Sequence, residues 1–127
     1  MDILVEAHSG IRWLVVIGLI ATVVVAFMRS SGEAGPTDRW LQWIGVIFDI
    51  QVALGIILYF VNQGWTQGGF IGVFHPIGML AAIAVFHIGL GRGRQTGGGQ
   101  GWRTIGLMTL LSLILVFAAI PWQRGLM

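Results

Sequence analysis

From Leu14 to Met28 the chain runs without a single charged residue, and three further apolar runs of comparable length follow it. A helix rises about 1.5 Å per residue, so roughly twenty such residues cross a hydrocarbon core about 30 Å thick. The runs predict four spans over about 3–28, 39–61, 70–90 and 103–120, forming one membrane domain over residues 1–127. Lipid offers backbone N–H and C=O groups no partner, which leaves helices or a closed barrel as spanning structures. Barrel strands are about ten residues long and alternate in polarity, whereas these runs are twice that and apolar on all faces. The expected fold is therefore all-α: an integral membrane four-helix bundle.

Composition agrees. Hydrophobic residues make up 56% of the chain and charged residues only 9%, against roughly a quarter in soluble domains. No stretch between the spans is long enough for a domain of its own. Cysteine is absent, which excludes disulfides, thiolate metal sites, iron–sulfur ligation and covalent c-type haem. The net charge of +2 rests on arginines alone, and they are too dispersed for a nucleic-acid footprint. Asp2 and Glu6 replace the basic start of a signal peptide and no small-x-small cleavage pattern follows, so the first span is expected to be retained.

The arginines set an orientation instead. Arg29, Arg39, Arg92, Arg94 and Arg103 flank the first and third connections, while the second, Asn62 to Gly69, carries no charge. The positive-inside rule puts the two basic connections in the cytoplasm and both termini on the periplasmic or outer side. Tryptophans fall into two belts on the same scheme, Trp40, Trp43 and Trp102 inside and Trp13, Trp65 and Trp122 outside. Pro36-Thr37-Asp38 reads as the start of the second helix, with Thr37 or Asp38 as N-cap. Gly91 to Gly101 reads as a flexible basic loop. Arg92-Gly93-Arg94 lacks the strand and the G-x-x-x-x-G-K-[ST] pattern of a phosphate-binding loop, and is a topology determinant.

Ionisable residues inside spans are costly and call for a partner or a task. With short connections the first and third helices run parallel, so His8 and His75 enter the membrane from one side at matching depth. Two such imidazoles can fill both axial positions of a haem iron, an arrangement suited to electron transfer rather than oxygen binding. Gly10 and Gly78 leave room for a porphyrin edge or for close helix contact. Arg12, one turn beyond His8, either pairs with a haem propionate or snorkels to the outer interface. His75 precedes Pro76, and a residue before proline is disfavoured in a helix; Pro76 could instead open the helix with His75 as its cap.

His87 lies about 18 Å deeper than His75 and roughly 120° around the helix, too far to serve the same iron. Asp49 falls near its level, which suggests a buried Asp49–His87 pair acting as structural glue or as part of a proton or quinone site. Gln51, two residues on, points elsewhere and is expected to bond across helices. No Ser-His-Asp set, zinc-type spacing or paired catalytic carboxylates occur.

Together, His8-Ser9-x-x-Arg12-Trp13, Ile50-Gln51 with Leu54-Gly55 and Leu58-Tyr59-Phe60, His75-Pro76-x-x-Met79, His87-Ile88-Gly89, Arg103-Thr104 and Ile120-Pro121-Trp122 resemble a group of small bacterial four-helix membrane proteins described as cytochrome b-like. The resemblance runs through nearly the whole chain. It implies haem b, a role in electron transfer, and His8 and His75 as the positions to carry over. One departure is Asp49, which stands where that group has a histidine before Ile-Gln. The expected function is electron transfer in the bacterial inner membrane, between a quinol or membrane partner and a periplasmic acceptor. The alternative is a small accessory subunit of a larger respiratory or photosynthetic complex, either cofactor-free or binding chlorophyll. Either is an electron-transfer or accessory subunit rather than an independent enzyme.

Overall fold

The computed structural model describes residues 3–66 and 68–120; Asp2, Pro121 and Trp122 of the motifs above lie outside the described residues. Four long helices occur: α1 (Ile3–Arg29), α2 (Arg39–Val61), α3 (His75–Thr96) and α4 (Gly98–Ala119). No strand occurs among the described residues. All four helices are long and apolar enough to cross a membrane, and at most 44% of any span's apolar window is buried inside the bundle. The remainder, including Ile17, Ile77 and Ile114, faces outward as an apolar surface compatible with a lipid bilayer.

Each helix packs on its neighbours in sequence, and α1 meets α4 to close the ring, leaving α1 and α3 diagonal. Leu19, Phe48, Phe86, Trp102 and Ile105 fill the centre. Lipid tails are as apolar as the helix faces, so close packing and interhelical hydrogen bonds carry the association. Ser112 Oγ accordingly donates to the Ala82 carbonyl at 2.7 Å. Where helices cross, glycine admits the neighbour: a Cβ on Gly18 would stand 2.8 Å from Ile44 Cδ1, and one on Gly78 2.8 Å from Ala119 Cβ.

The α3–α4 connection departs from the sequence expectation. Instead of a flexible loop over Gly91–Gly101, α3 continues to Thr96 and α4 begins at Gly98. Gly97 alone joins them, with φ of +72°, and Gly98 also has positive φ, a backbone region open to glycine at no steric cost. Gly93, Gly99 and Gly101 serve packing. Gly89 and Gly93 lie one turn apart on α3, and a Cβ on Gly93 would come within 2.7 Å of the Gly101 carbonyl oxygen. Glycine lets the two backbones touch, as small-xxx-small seams do in membranes.

At the same end, Asp38 precedes α2 without capping it through its side chain. Its carboxylate instead accepts from Arg29 Nη1 and from Trp40 Nε1, both at 2.8 Å, and Arg29 lies over the Trp102 ring at 5.0 Å. Hydrogen bonds from Arg29 and Trp40 hold the Asp38 carboxyl below the usual carboxylate range.

A histidine cleft between α2 and α3

The α2–α3 seam is the least closely packed of the four. Towards the end where α1 and α3 begin, it opens into a cavity of about 380 Å³, within the usual range for small-molecule and cofactor sites. Val52, Gly55, Ile56, Ile77, Met79 and Leu80 make its walls apolar, while His8, Gln51, Tyr59 and His75 supply its polar side chains. Ile56, Ile77 and Leu80 are also exposed, so the cavity opens on the lipid-facing side.

The residues before α3 shape this end. Phe70–Phe74 form one π-helical turn that leads into α3 at His75, so His75 begins the α-helix rather than capping it from outside. Pro76 has no N–H to give to the carbonyl four residues back, that of Gly72. Tyr59 Oη donates to that carbonyl at 2.9 Å from α2, closing the deficit across the cavity. π-Turns of this kind concentrate at functional sites.

His8 and His75 meet here, with ring centroids 6.3 Å apart and planes at 87°. The Ala119 carbonyl lies 2.7 Å from His75 Nδ1. It belongs to the last turn of α4, where carbonyls lack intrahelical partners. A carbonyl only accepts, so Nδ1 carries a proton, which in the neutral ring leaves the lone pair on Nε2. On the opposite wall Gly55 makes room for the His8 ring; a Cβ there would stand 3.1 Å from His8 Cε1. Gln51 is buried and donates from Nε2 to the His8 carbonyl at 2.8 Å, the bond across helices expected of it. Among the described residues His8 Nδ1 and Gln51 Oε1 are buried without a hydrogen-bond partner, the mark of a polar site whose complement is incomplete.

Among the described residues no three His, Asp or Glu side chains cluster as metal ligands.

The other predicted residues fall as follows. Arg12 is buried, not snorkelled outward, with its guanidinium 5.1 Å over the Trp13 ring, and it does not line the cavity. A Cβ on Gly10 would meet nothing within 4 Å, whereas Gly78 is a helix contact; Gly55 is the glycine that faces His8. Asp49 and His87 do pair, His87 Nε2 to Asp49 Oδ1 at 2.7 Å, but the pair is not buried: the side chains are 53% and 44% exposed. It lies on the outer surface of α2 and α3, near mid-span, with the His87 ring against Gly45. An acid facing lipid at the centre of a span costs about 2.5–3.5 kcal/mol. Gln51, Gly55, Tyr59 and Ala119 belong to the cleft without sequence reasoning having placed them there. For Gln51 and Tyr59 the signal was a polar group in an apolar span; for an Ala119 carbonyl there was none.

Comparison with protein-family models, curated proteins and solved structures gives no match.

Proposed function

We propose that this is a multi-pass electron-transfer protein of the bacterial inner membrane, holding one b-type haem between His8 and His75. The observation that carries the reading is the pair itself: two imidazoles from diagonal helices, with ring centroids 6.3 Å apart, beside an apolar cavity. The resemblance to cytochrome b-like membrane proteins supports the same assignment.

In this reading His75 and His8 would hold the group: the Ala119 carbonyl would fix the His75 tautomer and orientation, and Gly55 and Gln51 would position His8. A haem so held would supply one-electron transfer. Val52, Ile56, Ile77 and Leu80 give the cavity apolar walls, which would favour an apolar cofactor over water. The arginine distribution supports placing this end of the bundle on the periplasmic side, where it would receive electrons from a quinol or a larger membrane complex and pass them on.

The visible spectrum of the native protein, before and after dithionite, tests the assignment. A reversible shift in the Soret region is expected, with haem content lost in His75→Ala and in His8→Ala. Colourless native protein, or a His75→Ala variant with full haem content and an unchanged redox spectrum, overturns it.

A further inference from the structure

We propose that the outer face of α2 and α3 around Asp49 and His87 is a twofold interface, and that its occupant is a second copy of this chain. The face comprises Val46, Asp49, Ile50 and Ala53 on α2 and Ala84, His87, Ile88 and Gly91 on α3, all exposed and spaced i, i+3, i+4, i+7 along their helices.

Asp49 and His87 already share one hydrogen bond at 2.7 Å. Each keeps unused capacity: the second carboxylate oxygen of Asp49 accepts, and His87 has a second ring nitrogen. Both side chains are about half exposed at mid-span, where hydrocarbon can satisfy neither. A protein surface must therefore complete them, and interhelical bonds between polar side chains are among the forces that associate membrane helices.

Three features favour a second copy over an unrelated partner. An acid beside a base is its own electrostatic complement, so a twofold rotation sets Asp49 of one chain against His87 of the other. Direct contact puts Asp49 and His87 at one depth, and an axis along the membrane normal preserves depth. A second copy thus always presents the matching group at the right level. Finally, Ala53, Ala84 and Gly91 flank the pair on the same face, and small residues allow the close backbone approach that short polar side chains require. The interface lies deeper than the His8–His75 cleft and does not depend on haem.

The chain has no cysteine, so one introduced thiol reports only contacts between chains. In vesicles at high lipid-to-protein ratio, Ala84→Cys is expected to form a disulfide-linked dimer on oxidation. Ile114→Cys, on the lipid-facing surface of α4, should stay monomeric. The double variant Asp49→Leu/His87→Leu, in the Ala84→Cys background, should lower cross-linking at least tenfold with helicity unchanged. The exchange Asp49→His/His87→Asp should restore it. Cross-linking of Ala84→Cys no greater than that of Ile114→Cys overturns the proposal. So does a native mass spectrum showing monomer with a lipid-soluble small molecule or an unrelated chain bound. The haem spectrum is read separately: dimer loss with an intact Soret band leaves the cleft assignment standing, and the converse leaves the interface standing.

Discussion

Replacing Tyr59 by Phe removes one hydroxyl, and the consequence depends on a proline seventeen residues away. Pro76 cannot donate to the Gly72 carbonyl, and Tyr59 Oη does so instead at 2.9 Å. A hydrogen bond of this kind contributes about 0.5–1.5 kcal/mol net, and side-chain bonds between membrane helices average about 0.6 kcal/mol with a maximum near 1.7. The contact is partly buried, so Tyr59→Phe should cost about 1 kcal/mol, a roughly fivefold fall in the folded-to-unfolded ratio. Pro76→Ala supplies the missing N–H, lets an ordinary helical bond form to Gly72, and makes the hydroxyl redundant. In that background Tyr59→Phe should cost close to nothing, so the coupling in the double-mutant cycle should also be about 1 kcal/mol. Unfolding equilibria of the four proteins in mixed detergent–lipid micelles measure it. An equal cost of Tyr59→Phe in both backgrounds would refute the link between proline, carbonyl and phenol.

Three further outcomes follow from the opposite end of the bundle and from the glycines. Gly93→Ala drives a Cβ to 2.7 Å from the Gly101 carbonyl and 2.9 Å from Ile105 Cδ1, and should destabilise by about 1–3 kcal/mol through overpacking. Gly10→Ala meets open space and should stabilise α1 by about 0.5–1 kcal/mol; the same unfolding titration reads both. Because the folded-state pKa of Asp38 is depressed by Arg29 and Trp40, its contribution is complete above the ordinary carboxylate pKa and is lost as pH falls through the depressed one, below about pH 4. Arg29 is half exposed, so the effect should be no more than about 1 kcal/mol. Asp38→Asn should flatten the acid limb of the stability–pH curve by that amount.

The four spans were readable because hydropathy over twenty residues depends on nothing but composition. Depth was readable too. Equal distances from the span starts brought His8 to His75, and the same counting brought Asp49 to His87. Direction was not. Helices apolar all round carry little mark of which side faces inward, so a pair expected inside lies outside and Arg12 lies inside. Gly91–Gly101 misled for a related reason. Glycine reads as flexibility in water, but in a bundle held by close packing it marks where two backbones touch. The π-turn before Pro76 is bonded from α2 by Tyr59, a contact that no local pattern records.

The single-residue joint at Gly97 makes α3 and α4 a hairpin whose arms run in step. Counting outward from it, Ala82 and Ser112 are each fifteen residues away and His75 and Ala119 each twenty-two, and both pairs are in contact. The joint thus acts as a register pin: one residue more or fewer there would put the His75 ring and the Ala119 carbonyl out of step.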